Sequence, residues 1–330
     1  MAVLLIANFA LTAFLIARNR QQLGLEALSR RGAIVVAQLV FQGQLVLITE
    51  ATSAFHRFDV RTIVSAWLVS IVVLLFFGGS GLFRAVRSFP SRIRWPQDGG
   101  AWDSIFIAAI VAVFATLIVV GWRYPPANGD SMVYHLPRAM QWIQNGSVAH
   151  FATHYLAQLE LAPLHEFNLA HLHLLTGGTD RFDGYVQLIA LAISVIGASE
   201  MARLLGAGTS GQVLAALVCA TVPSAILEAT STQNNVFAAS IGLGILLVLL
   251  TWRGQTGTLP RAVILGCGLG LAALTKGTLP ILLAPSCVVL GWLLLHREWR
   301  HDGALERLVT SAIVVAACVV IVVSPFLGRN

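Results

Sequence analysis

Long apolar runs alternate with short polar connections along most of the chain. Runs near 1–17, 33–53, 62–83, 103–122, 184–204, 211–228, 236–252, 262–275, 278–295 and 308–327 reach or approach the length a helix needs to cross a hydrocarbon core of about 30 Å. The pattern predicts an all-α, polytopic protein of about ten spans. The second run is the weakest, because Gln38, Gln42, Gln44 and Glu50 interrupt it, and the eighth is short. A further apolar stretch, 163–177, is too short to cross and carries His165, Glu166, His171 and His173. It is expected to be a helix that lies in the interface or dips part-way into it.

Composition excludes a soluble domain. The chain is 57% hydrophobic and 11% charged, with a mean hydropathy of +0.79, and no folded exterior in water could carry so much apolar surface. The net charge of +6 does not point to nucleic acid, because the basic residues sit in the connections, as topology signals do. With ten spans, one set of connections holds Arg18, Arg20, Arg30 and Arg31; Arg84, Arg87, Arg92 and Arg94; Arg203; Arg253 and Arg261; and Arg297, Arg300 and Arg307. That is 14 of the 21 Lys and Arg. The positive-inside rule puts this set in the cytoplasm and the long connection 123–183 outside. Cys219, Cys267, Cys287 and Cys318 all fall in apolar runs without metal-ligand spacing and read as packing residues. Residues 1–17 are as apolar as a signal peptide but lack a basic start, so a first span is expected there.

The outward loop concentrates the polar chemistry. It holds His135, His150, His154, His165, His171 and His173, six of the nine histidines. Met132, Leu136, Met140 and Ile143 recur at helical spacing, with Arg138, Gln141 and Gln144 elsewhere on the wheel, which predicts an amphipathic juxtamembrane helix over 131–143. Asp130 stands where an N-cap would stand, so the plain reading is that it caps this helix. The histidine spacings do not match a zinc signature. No metal site is predicted; if a divalent ion binds, His150, His154 and Glu166 are the weak candidates for holding it.

Three other stretches stand out: the polar run Glu228 to Asn235 between two spans, Leu274-Thr-Lys-Gly277 at the end of another, and the abrupt end Pro325-Phe-Leu-Gly-Arg-Asn330, which looks cut short. Taken in order, GDSMVYHLPRAMQWIQNGSVAHF, APLHEFNLAHLHLLTGG, ATSTQNN, GLAALTKG and FLGRN make the chain resemble the GT-C superfamily of membrane glycosyltransferases over about 120–330. It is most similar to the family 39 branch, which holds protein O-mannosyltransferases and the aminoarabinose transferases that modify lipid A. In this sequence Ser131 stands where many members carry Glu, and Asn235 where members often carry a second acid.

The resemblance implies spans of extra, unassigned role over 1–102 and a catalytic core over 103–330. It implies inverting transfer of a sugar from a polyprenyl-phosphate carrier to an acceptor hydroxyl, at the outer face of a bacterial-type inner membrane. Asp130 matches the family's catalytic acid and would be the general base. Lys276 and Arg138, with His135, Glu228, Asn235 and Arg329 behind them, are the candidates for the donor phosphate and sugar. The sugar and the acceptor are not named by any residue. Two rival classes remain: a transporter or flippase using Glu50 and Glu200 as buried acids, and an inactive relative that binds a lipid-linked sugar without turning it over.

Overall fold

The computed structural model describes residues 1–87, 100–252, 258–298 and 304–329. Arg92, Arg94, Arg253, Arg300 and Asn330, named above, lie outside these residues. Among the described residues every element is helical. In chain order they are α1 (Val3–Arg18), α2 (Arg30–Ala54), α3 (Val60–Arg87), α4 (Ala101–Arg123), a π-helical turn (Ser131–His135), α5 (Leu136–Asn145), α6 (Ala157–Glu160), α7 (Leu164–Thr176), a 3-10 turn (Asp180–Phe182), α8 (Tyr185–Leu204), α9 (Thr209–Ala220), α10 (Pro223–Glu228), α11 (Asn235–Leu250), α12 (Thr258–Thr275), α13 (Thr278–Glu298) and α14 (Ala304–Leu327). Five stretches among them are long and apolar enough to cross a membrane: Arg30–Ala54, Val60–Gly78, Ala101–Arg123, Asp180–Leu204 and Leu305–Leu327. Five shorter apolar helices accompany them: Val3–Arg18, Thr209–Ala220, Asn235–Leu250, Leu259–Thr275 and Thr278–Leu293.

The expected run 211–228 is two helices. Val222 precedes Pro223 and is held extended (φ −60°, ψ 117°), because the proline ring crowds an α conformation in the residue before it. Pro223 then opens α10, where its missing N–H costs nothing.

Hydrogen bonds sort the helix ends into two groups. At one end, Glu200 near the end of α8 accepts from the backbone and hydroxyl of Ser29 before α2, both at 2.7 Å, and Asp103 at the start of α4 accepts from Ser210 of α9 at 2.8 Å. At the other end, Glu50 of α2 meets Arg329 beyond α14, and Asn234 before α11 donates to Thr275 at the end of α12. Helices that follow one another along the chain therefore run in alternate directions. The long connection between α4 and α8 gathers at the second end.

The helix whose polarity made it the weakest span turns out to be central. The most apolar window of α2 is 67% buried, against 11% for that of α4 and 0% for that of α14. Gln38 and Gln42 face protein. Gln38 donates to Ser240 at 2.7 Å, and Gln42 exchanges two bonds with Asn168 of α7, at 3.0 and 2.9 Å. Away from water such groups must find partners within the fold. Close packing elsewhere uses small residues, as between membrane helices generally: a Cβ on Gly266 of α12 would lie 2.7 Å from that of Cys318 on α14.

The expected interfacial segment is α7, and ten of its 13 residues are buried. It packs against α2, α3, α5 and α12. His171 shows why. Trp67 of α3 donates its indole N–H to His171 Nδ1 at 3.0 Å, so Nδ1 is the bare nitrogen and Nε2 carries the hydrogen. That hydrogen goes to Thr49 Oγ1 of α2 at 2.9 Å, and Thr49 donates onward to the Leu45 carbonyl at 2.7 Å. Both nitrogens are satisfied by the neutral ring, and burial pushes the His171 pKa down to about 3.

A group whose pKa is depressed on folding supports the native state above its unfolded value and withdraws that support as the pH falls. His171 should therefore cost stability between pH 6.5, its unfolded value, and about 3, at roughly 1.4 kcal/mol per pH unit. Thermal unfolding in detergent near neutrality and in mild acid checks this. His171→Gln, which can accept from Trp67 and donate to Thr49, should show a shallower loss than wild type.

Candidate functional site

The predicted amphipathic helix starts differently from its wheel. Pro137 has no N–H to give to an α-helical first turn. The chain instead makes the π-helical turn 131–135, with Leu136 N–H bonded to the Ser131 carbonyl, and continues as α5 until Gly146, in the left-handed region (φ 62°), ends it. The buried face of α5 is Arg138, Ala139 and Trp142, packed toward α7. Leu136, Met140 and Ile143 are half-buried, and Met132 is exposed. Arg138, expected on the polar side, is thus inside. Its guanidinium donates to the carbonyls of Leu161 and Leu159, at 2.7 and 3.1 Å, and lies over the Trp142 ring. Burial lowers its pKa.

Asp130 does not cap the helix. Its backbone is already helical (φ −63°, ψ −40°) and its side chain makes no cap bond. Asn128 caps the turn instead, its Oδ1 accepting from Ser131 N–H at 2.9 Å. The Asp130 carboxylate, exposed, accepts from Gln233 Nε2 at 3.2 Å. One residue on, Ser131 is fully buried. Its hydroxyl accepts from Thr232 Oγ1 at 2.7 Å and from Thr232 N–H at 3.3 Å. The two polar stretches read separately in the sequence are therefore docked on each other, at Ser131–Thr232 and Asp130–Gln233. A glutamate at 131 would have to fit a carboxylate where a small hydroxyl now sits.

The second turn carries the other candidates. Asn235 opens α11; its Nδ2 donates to Glu228 Oε1 at 2.9 Å, and its Oδ1 accepts from Lys276 Nζ. Glu228, Asn235 and Lys276 form one polar line, whose middle member is two residues from Gln233. Lys276 is half-buried and keeps two further N–H donors. Arg329 pairs with Glu50 through both guanidinium nitrogens, the longer bond 2.8 Å, and its charge also acts on Arg138. Gly184 holds the underside of the turn: a Cβ there would lie 2.6 Å from the Thr230 carbonyl oxygen.

Behind the π-helical turn is a buried cluster that sequence spacing did not reveal. His135 Nδ1 lies 2.7 Å from Glu166 Oε1, with both side chains fully buried. Burial opposes ionisation of Glu166, but His135, then Arg138 and His165, hold its pKa at about 2. Burial, and then the nearness of His135, depress His165 to about 3. Tyr134, half-buried and tilted against His135 with ring centroids 3.9 Å apart, is pushed up by burial and by the charges of Glu166 and Asp130. The signal for this pair was weak: two residues 31 apart, one on each of two short helical segments. His150 and His154 are exposed. Among the described residues no group of three His, Cys, Asp or Glu side chains is arranged to hold a metal ion.

Comparison with protein-family models, with curated proteins and with solved structures gives no match. The functional reading therefore rests on the chain's own residues.

The reassigned cap separates two neighbours by stability alone. Asn128→Ala should cost about 1 kcal/mol, and Asp130→Ala should leave stability within about 0.5 kcal/mol of wild type. Thermal midpoints of the two purified variants decide. Equal losses would return the capping role to Asp130.

Proposed function

We propose that the chain is an integral-membrane glycosyltransferase of the GT-C kind, with ten spans and its site at the outer face of a bacterial-type inner membrane. The donor is a sugar on a polyprenyl phosphate and the acceptor is a hydroxyl. The observation that carries this reading is the placing of Asp130: its carboxylate is released from capping and bonded to Gln233, on the same turn as Glu228 and Asn235, and Asn235 in turn accepts from Lys276. The alternation of helix directions agrees with the charge-based topology.

In this reading the acceptor O–H gives its proton to Asp130 while its oxygen bonds to the anomeric carbon from the side opposite the carrier. The bond from that carbon to the carrier phosphate breaks, and its electron pair leaves with the phosphate, which needs no proton. Lys276 is the cation best placed to balance the charge that develops. Arg138 is held by two carbonyls and Arg329 by Glu50, so their part is to shape the field rather than to grip the donor. Asn235 supplies no base, but it holds Glu228 at the place where a second acid is expected.

Asn235 also favours a second reading, an inactive relative that binds a lipid-linked sugar without consuming it. The transporter reading draws no such support. Glu50 is paired with Arg329, and Glu200 with Arg203 and Ser29, at opposite ends of the helices.

The test is a panel of radiolabelled polyprenyl-phosphate sugars, offered to the chain in nanodiscs with membrane extract as acceptor source. Wild type should consume one donor, and Asp130→Asn should be slower by about 100-fold or more. Binding without consumption, equal in both proteins, would establish the inactive relative. Absence of binding to every donor would overturn both readings.

A further inference from the structure

The buried cluster behind Asp130 holds more polar atoms than it has partners. His135 Nε2, both ring nitrogens of His165, Glu166 Oε2 and Arg138 Nε are all buried without a hydrogen bond of good geometry, although the Thr232 backbone is near enough to act on His165. Buried polar groups are ordinarily paired, so five such atoms in one place mark a site with work to do or water to hold. They are also ordered. Glu166 engages Nδ1 of His135 at 2.7 Å and leaves Nε2 unengaged. A carboxylate on one ring nitrogen fixes the tautomer and orientation that make the other a proton acceptor.

The surroundings connect this imidazole to the outer site. Asp130 and His135 bracket the same π-helical turn, a geometry that recurs at functional sites. Tyr134 lies against the His135 ring, and the charges of Asp130 and Glu166 both act on it. From α7, His165 faces the His135 ring at a centroid distance of 5.5 Å; from α5, the Arg138 charge acts on Glu166.

We propose that Glu166 and His135 form a carboxylate–imidazole dyad that receives the reaction proton from Asp130. The proposal rests on the glycosyltransferase reading. The acceptor O–H bond breaks and its proton goes to the Asp130 carboxylate. That proton then passes, by way of the Tyr134 hydroxyl or a water in the cluster, to the lone pair of His135 Nε2. Asp130 is left ionised for the next turnover, and Glu166 balances the imidazolium until it releases the proton to solvent. Glu166 and His135 do not touch the reacting atoms; they are positioning and relay residues.

The experiment uses the full chain in nanodiscs, labelled with ¹⁵N-histidine for solid-state NMR and assayed with the same panel of radiolabelled polyprenyl-phosphate sugars. Near neutral pH the wild-type His135 signal, assigned through His135→Gln, should show Nδ1 protonated and Nε2 bare. Glu166→Gln, whose amide can donate to Nδ1, should switch the tautomer. It should also lower kcat by about 10- to 100-fold with KM unchanged, and Glu166→Asp should restore part of the rate. Should Glu166→Gln fail to fold, His135→Gln gives the same kinetic readout, and the wild-type tautomer stands as an independent one. Transfer by wild type with kcat unchanged in the folded variants, or Nε2 protonated in wild type, overturns the relay alone. Absence of transfer by wild type overturns the glycosyltransferase reading and the relay with it.

Discussion

Ser131 is buried, and its hydroxyl takes two hydrogen bonds from Thr232. The rest of the candidate site depends on this docking. It joins two connections about a hundred residues apart, which would otherwise be separate polar turns over a bundle end. It also fixes the first residue of the π-helical turn, while Glu166 fixes the last through His135 and the Leu159 and Leu161 carbonyls hold Arg138 just beyond. A turn of unusual geometry, pinned at three points, presents Asp130 without asking the aspartate to stabilise it. Asn128 takes over the cap, and the carboxylate is left for chemistry.

The same economy governs the interior. Every polar side chain placed between apolar helices needs a partner, because neither lipid nor packed protein will hydrate it. The Gln38 amide nitrogen, Gln42 and Thr49 of α2 meet that requirement on Ser240, Asn168 and His171. These contacts make α2 the helix against which α7 and α11 are placed. Because α7 is anchored by Asn168 and His171, Glu166 and His165 at its first turn arrive beneath the site at a fixed depth. Polarity in the core and geometry at the surface are thus one problem, solved by one helix.

Much of this was legible in the pattern of apolar runs. A helix stands at each of the ten predicted runs, and the one misread, 211–228, was broken by a proline in plain view. The candidate site was legible in its parts: Asp130, Glu228, Asn235 and Lys276 were each marked by a polar residue at the edge of an apolar run. What could not be read was which parts meet. Ser131–Thr232 and His135–Glu166 are contacts between residues far apart in sequence, and no periodicity encodes them. The wheel of 131–143 misled for a physical reason: it assigned Arg138 to water, when two free carbonyls and an indole ring inside the fold could take the guanidinium. The glutamines of α2 misled in the same way, by suggesting a poor span where the partners lay on neighbouring helices.

In the proposed function, a lipid-borne phosphate arrives where the two docked turns meet. The most direct measurement is photo-crosslinking with a polyprenyl phosphate that carries a diazirine beside its headgroup, followed by peptide mapping of the labelled chain in nanodiscs. Labelling is expected within 128–135, 228–235 and the residues flanking Lys276, reduced by Lys276→Gln. Labelling confined to the opposite end of the bundle, around Ser29, Glu200 and Arg203, would contradict it.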